Sequence, residues 1–228
     1  AICAGAVIGG ILGPIVARSA GASFALVNFA FNCLGWFLAV TALAEFTGGE
    51  DGMGVNLSPI GFLNFYNPTV RFIFSLSCLL LVFYLVKRLT SSPYGVLLKS
   101  IKENETRVKF LGYNVFIYKW ITFIFSTTLS AFAGALWTLN FLYVSPSFID
   151  PVRNVEVIFA ALIGGAGNPY GAIIGGTAYI AMSNYLATYI SRWEMFLGIA
   201  LLILVFRFPK GITGYFANII KRRGVNIQ

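Results

Sequence analysis

Residues 87–119 read K-R-L-T-S-S-P-Y-G-V-L-L-K-S-I-K-E-N-E-T-R-V-K-F-L-G-Y-N-V-F-I-Y-K, and long apolar blocks lie on both sides. The stretch carries seven bases (Lys87, Arg88, Lys99, Lys102, Arg107, Lys109, Lys119) against Glu103 and Glu105, a net charge of +5. A loop this basic between apolar segments marks the cytoplasmic side of a membrane protein, because Lys and Arg are retained there. Local signals also fold it. Ser92 before Pro93 fits a helix N-cap, and Gly112 is placed to end a helix with Lys109 in its last turn. At ~100° per residue, Leu97, Ile101, Val108 and Leu111 share one face. Lys99, Lys102, Glu103, Thr106, Arg107 and Lys109 share the other. Asn104 falls inside the apolar stripe, so a break into two short helices is expected there. Two readings fit: a basic amphipathic helix on lipid headgroups, or a docking helix for a soluble partner.

The rest of the chain sets the class. Its 228 residues are 58% hydrophobic and 11% charged, with a mean hydropathy of +0.81. Soluble domains carry about 25% charge, so this is an integral membrane protein. Twelve of the sixteen Lys and Arg lie in 87–119 and 207–228. That clustering is the positive-inside bias and argues against nucleic-acid binding. Cys3, Cys33 and Cys78 all lie in apolar segments, without a CxxC, which disfavours a disulfide framework or metal site. Histidine is absent.

Apolar segments are expected at 2–17, 22–44, 69–86, 120–142 and 195–206. The first has Gly5, Gly9 and Gly13 at four-residue spacing, a ridge that lets helix backbones approach closely in lipid. The chain opens at Ala1 inside this apolar run, and earlier spans are expected to be missing. The second segment holds Asn28 and Asn32 one turn apart. Amides at membrane depth face protein or a cavity, so these two make an interhelical hydrogen bond or line a pathway. In the fourth, Ser126, Ser130 and Gly134 form one small-residue face and Thr127, Ala131 and Ala135 another; that helix should pack against others. The turn-rich T-G-G-E-D-G-M-G, with Thr47, Gly48, Gly49, Asp51 and Gly52, is an external loop whose ligand spacing is wrong for an EF-hand.

Residues 155–163 are too short to cross a bilayer alone. They end in G-G-A-G-N-P-Y-G, where Gly164, Gly165, Gly167, Asn168 and Gly171 break the run before it resumes to about residue 190. Irregular backbone at depth is tolerated where it is buried or lines a cavity, and transporters place such breaks near the substrate route. The alternative is a tight hairpin between packed helices. The stretch has no Lys and is not a phosphate loop. Putting the basic loop and the tail on one side leaves the external candidates with a net charge of −3. It also requires an even number of crossings between residues 143 and 193.

An ordered set of motifs now carries a resemblance: T-G-G-x-D-G-M, S-P-Y-G at 92–95, S-I-K-E-N-E-T-R at 100–107, L-G-Y at 111–113, A-F-A-G-A-L at 131–136, V-S-P at 144–146, G-G-A-G-N-P-Y-G and F-P-K-G-I at 208–212. From about Arg18 onward the chain resembles the permease subunit of bacterial branched-chain amino acid ABC importers, in its M-type form. The resemblance implies an all-α polytopic transmembrane bundle. A single permease domain would cover 1–228, with a cytoplasmic coupling loop at 87–117 and a glycine-rich broken-helix hairpin. It implies a bacterial inner-membrane protein with a cytoplasmic C-terminus. The implied partners are a second, paralogous permease, two cytoplasmic ATPase subunits that carry ATP and Mg, and a periplasmic binding protein. This chain would bind no cofactor and hold no catalytic residue.

The coupling residues implied are Ser100, Lys102, Glu103, Asn104, Glu105, Arg107 and Gly112, and the resemblance favours docking over lipid-surface binding. Glu103, Glu105 and Arg107 are expected to meet the ATPase. The family commonly reads A-I-R-E-N-E; here Ser100 and Lys102 intervene, and Lys lacks the bidentate fork of Arg. Asn168-Pro169 likewise stands where the family often has Ser or Thr. Urea and short-amide importers have closely related permeases and remain an alternative. An intramembrane enzyme would need paired carboxylates or a nucleophile–base pair at depth. A channel or secondary carrier would show intramembrane ionisable groups for ion coupling. The spans contain neither.

Overall fold

The computed structural model describes residues 1–56, 65–165, 167, 169–189, 195 and 198. The expected last span at 195–206 and the basic tail lie outside the described residues, apart from those two single positions. The chain divides into two compact units, Ala1–Pro151 and Val152–Gln228.

In the first unit, α1 (Ile2–Ala17) lies along α7 (Val115–Phe141) in the most extensive helix–helix contact. Gly5, Gly9 and Gly13 are buried in it. A Cβ on Gly5 would sit 2.6 Å from the Ala131 Cβ, and one on Gly9 would sit 3.0 Å from the Ile124 Cα and overlap the Thr127 hydroxyl. One on Gly13 would sit 2.8 Å from the Trp120 indole nitrogen. The glycine ridge therefore packs as its spacing predicts, on the Thr127–Ala131 face of α7. Ser126, Ser130 and Gly134 stay exposed.

The second helix, α2 (Ala22–Phe37), runs on through a π turn (Leu38–Ala42) into the short α3 (Ala44–Thr47). Thr47 ends it, its hydroxyl donating to the carbonyls of Ala39 (2.7 Å) and Leu43 (3.0 Å). Next, α4 (Pro68–Thr90) starts where Asn67 accepts from the Thr69 N–H at 3.0 Å with Pro68 at the first position. The segments Ala22–Ala42, Pro68–Thr90 and Val115–Phe141 are long and apolar enough to cross a membrane. Neither α2 nor α4 has a buried residue. In water such bare faces would drive association; in lipid they are already solvated.

Two departures from the sequence expectation stand out. The spans extend beyond their predicted limits, so Lys87 and Arg88 belong to α4 and Lys119 belongs to α7 rather than to the loop. Helical hydrogen bonding continues until Ser91 and Pro93 stop it at one end and resumes at Asn114 at the other. The all-α expectation also gains a small ribbon, β1 (Met53–Gly54) paired antiparallel with β2 (Tyr143–Val144). The Tyr143 hydroxyl donates to the Asp51 carbonyl, and buried Ser145 donates to the Glu50 carbonyl at 3.3 Å. T-G-G-E-D-G-M is thereby folded against V-S-P.

In the second unit, α8 (Pro151–Gly164) and α9 (Pro169–Tyr189) meet at a 118° bend between Gly164 and Pro169. Ile163 and Tyr179 are buried together with Phe159, Ala160, Ala178 and Leu186 packed around them.

Gly9→Leu should lower stability by about 1–3 kcal/mol through overpacking. Gly10→Leu, at a position with nothing within 4 Å, should not. Thermal unfolding in bicelles compares the two.

Candidate functional site

The basic loop folds as two short helices, α5 (Pro93–Glu103) and α6 (Glu105–Phe110), with Asn104 between them. Asn104 is extended (φ −156°, ψ 97°) and its side-chain oxygen accepts from the Arg107 N–H at 2.9 Å. One residue thus ends the first helix and caps the second, which is why an amide tolerates a place in the apolar stripe. Gly112, at φ +85°, takes the left-handed turn after α6.

Under the pair, Ile101, Val108 and Val115 form a buried cluster, flanked by Leu97, Leu98 and Tyr118. Leu111 does not join it and is 69% exposed. The helical phase that placed it inward stops at Phe110, and Val115, from the start of α7, fills the slot instead. Ser92 also differs from expectation. It holds the N-cap position but its hydroxyl donates back to the Leu89 carbonyl at 2.6 Å, closing α4 rather than capping α5.

Each residue of S-P-Y-G now has a local function. Ser92 closes α4 and Pro93 opens α5. Gly95 lets the new helix abut the old, since a Cβ there would lie 2.7 Å from the Leu89 carbonyl oxygen. The Tyr94 hydroxyl reaches α7, 3.1 Å from the Tyr118 carbonyl and 2.8 Å from the Thr122 hydroxyl.

A second tie is ionic. The Glu105 carboxylate meets Lys119 Nζ at 2.6 Å and Lys109 Nζ at 2.9 Å. The hydrogen bond from Lys119, then that from Lys109, holds the Glu105 carboxyl below the usual carboxylate range against an opposing contribution from burial. The sign follows from linkage: a depressed folded value stabilises the fold above the unfolded value, and the contribution is lost as pH falls through the depressed one. The tie is therefore intact at neutral pH.

The opposite face is open. Lys99, Lys102, Glu103, Thr106 and Arg107 are exposed. Phe110 is 88% exposed. A shallow hollow of about 350 Å³ is lined by Asn104, Thr106, Arg107, Phe110 and Leu111. Ser100 bonds its own helix, its hydroxyl donating to the Val96 carbonyl at 3.1 Å. The structure thus brings Ser100, Lys102, Glu103, Asn104, Arg107 and Gly112 onto one small platform and turns Glu105 toward α7. Sequence reasoning missed Tyr94, Phe110, Val115 and Lys119. The one available signal was Phe110 next to Leu111 in a basic setting.

The other expected sites lie elsewhere. The Asn28 side chain donates to the Phe24 carbonyl of its own helix at 2.8 Å. That of Asn32 donates to the Ile149 carbonyl at 2.8 Å, joining α2 to the 3₁₀ turn Pro146–Ile149. Thr47, Gly48, Gly49, Asp51 and Gly52 belong to the ribbon end of α7. Gly48 and Gly52 have φ of +76° and +70°, with no room for a Cβ.

At the break in the second unit, Gly164, Gly165 and Gly171 are buried, and Gly165 and Gly167 have φ of +104° and +114°. A Cβ on Gly171 would lie 2.6 Å from the Gly165 carbonyl oxygen, and one on Gly175 would strike the Ala160 carbonyl and sit 2.6 Å from the Gly164 nitrogen. This is the close backbone packing of a tight hairpin. Asn168 lies outside the described residues. Among the described residues no group of three potential metal ligands occurs.

Lipid-facing helices, small-residue seams and a folded basic platform define a polytopic helical membrane protein. The chain belongs to the family described as branched-chain amino acid transport system / permease component, whose model matches residues 1–206. It is similar to the high-affinity branched-chain amino acid transport system permease protein LivM of Salmonella typhimurium (25% identical) and of Escherichia coli (26%), each over 91% of this chain and 54% of the relative. A probable branched-chain amino acid transport permease protein LivM of Methanocaldococcus jannaschii is 28% identical over 52% of this chain and 35% of its own. The chain therefore spans about half the length of the enterobacterial relatives. No solved structure matches it significantly.

Asn104→Ala should remove the α6 cap at a cost of about 1 kcal/mol. Amide hydrogen exchange should accelerate over 105–110 while α7 keeps its protection. Gly171→Ala should destabilise the hairpin far more than Gly176→Ala, whose site is open.

Proposed function

We propose that this chain is a membrane-spanning permease subunit of an ATP-driven importer, and that it passes branched-chain amino acids or a similar small polar solute into the cytoplasm. The observation that carries the reading is the α5–α6 platform. It is a folded, outward-facing pair of helices with a bare aromatic residue and charges of both signs, fixed to a long span. A helix that merely lies on anionic headgroups has no use for Glu103, whereas a protein groove uses both signs to set register. Lys102, Glu103, Asn104, Arg107 and Phe110 are the groups offered to an ATPase subunit. Family membership supports a transport subunit rather than a catalytic one.

The assembly envisaged contains this chain, a second permease, two ATPases holding ATP and Mg, and a periplasmic binding protein, in a bacterial inner membrane. The positive-inside bias puts the platform and the C-terminus in the cytoplasm and the Thr47–Gly54 loop outside. In alternating access, closure of the ATPases shifts the platform and hence the spans. The glycine hairpin at 164–171 is proposed to shape the route as a packed, rigid element.

Reconstitution with candidate ATPase and binding-protein subunits tests the function: solute-stimulated ATP hydrolysis and uptake are expected, and Phe110→Asp should cut both about tenfold by weakening docking. Uptake that proceeds without any ATPase would refute it. Cysteines placed at Lys99 and Asp51 should label from opposite sides of the membrane, and labelling of both from one side would overturn the topology.

A further inference from the structure

We propose that Lys119 and Glu105 form a strut that transmits movement of the coupling platform into α7, so that both act as positioning residues inside the permease rather than as contacts to the ATPase. The inference rests on the coupling reading given above and adds the route by which the platform moves the spans.

Three observations carry it. First, Glu105 has its two oxygens engaged by different lysines, Oε2 by Lys119 and Oε1 by Lys109. Lys109 is 60% exposed at its side chain but Lys119 only 21%, so the inner half of the pair is the shielded one. An acid held in this way has little left to offer a partner. Second, α7 is long enough to reach it. Twenty-seven residues span about 40 Å, roughly 10 Å more than a hydrocarbon core, which leaves length for turns beyond the lipid, and its polar ties to Tyr94 and Glu105 lie in the first turns. Third, the strut does not act alone. Tyr94 ties α5 to Tyr118 and Thr122 on the next turn of α7, and the Ile101–Val108–Val115 cluster lies with Tyr118 packed against it. Both helices of the platform are thus pinned to the first turns of one span.

From α7 the route continues into α1 through the Gly5–Gly9–Gly13 seam. Arg18, just past the end of α1, lies 6.0 Å from the centre of the Phe116 ring. The platform, α7 and α1 therefore form one contiguous packed body. The platform also abuts the end of α4, where Gly95 packs on the Leu89 and Thr90 carbonyls and the chain turns at Pro93.

Spatial contiguity suggests a route, and energetic coupling establishes one, so the test is a double-mutant cycle in the complete reconstituted complex. The variants are Glu105→Gln, Lys119→Gln, their combination, and Lys119→Arg. Two quantities are read: cross-linking from Thr106→Cys to the ATPase, and solute taken up per ATP hydrolysed. Each Gln variant is expected to keep the cross-link and lower uptake per ATP about fivefold, the factor of a partly shielded ion pair. The combination should fall no lower than either single change, and Lys119→Arg should retain the wild-type ratio. Unchanged uptake per ATP in both single variants would overturn the strut, as would losses that multiply. Loss of the cross-link would show that the pair only holds the platform's fold, which also overturns it. Absence of the cross-link in the otherwise unaltered complex would overturn the docking reading and the strut with it.

Discussion

The surplus length of α7 is the constraint on which the first unit depends. A span of about 40 Å in a core of about 30 Å must emerge from the lipid, and emerged turns need polar partners. At the basic end these are Tyr94 and Glu105. At the far end, Arg71 of α4 donates to the Asn140 carbonyl at 2.9 Å, and the Asn140 side chain donates to the Ser75 hydroxyl at 2.7 Å. Last-turn carbonyls lack intrahelical donors and sit at the negative end of the helix dipole, so a guanidinium suits them on both counts. Leu142 then turns left-handed at φ +56°. That conformation costs roughly 1–2 kcal/mol outside glycine, and it is held by the hydrogen bond from the Val55 N–H to the Leu142 carbonyl at 2.8 Å. The ribbon that folds the Thr47–Gly54 loop starts at this point.

Between its two ends α7 is held by a seam with no hydrophobic driving force, since lipid is as apolar as any side chain. Close approach is the remaining source of stability, and glycine supplies it in two ways. On α1 the glycines receive both side chains, those of Ala131, Thr127 and Trp120, and backbone, the Thr127 carbonyl against Gly5 and the Ile124 Cα against Gly9. In the second unit Gly164, Gly171 and Gly175 receive backbone alone, chiefly each other's carbonyls and that of Ala160. Backbone has no rotamers to adjust, so the bend between α8 and α9 is a rigid corner.

Much of this architecture is legible in the sequence because the signals are local. Asn104 in an apolar stripe, Gly112 after a basic turn, and glycines four apart each point to the feature observed. The span limits were less legible. Lys87, Arg88 and Lys119 look like loop residues by charge, yet long basic side chains are accommodated at helix ends near the interface. Leu111 was misplaced because periodicity carries no knowledge of where a helix stops. The Met53–Val144 ribbon pairs two residues with two across some ninety positions, a length too short to leave any alternation to read. Tyr94 and Lys119 were missed for a different reason: their partners come from another helix, and spacing along one helix cannot reveal them.

Glu105 shows most clearly how charge in sequence differs from charge in space. Two acids among seven bases at 87–119 look equivalent, and both were assigned outward. A shielded lysine at the start of α7 separates them. Lys119 is only 21% exposed at its side chain and is poorly served by water, so it draws the nearest carboxylate inward. That carboxylate is Glu105, the first residue of α6, while Glu103 stays exposed. Helical phase alone already parts the two acids: at ~100° per residue positions 103 and 105 stand about 200° apart, and Val108 keeps within about 20° of Ile101. Asn104 ends α5 and caps α6 without losing that phase: Val108 enters the cluster with Ile101 and Val115, and one acid turns inward while the other remains exposed.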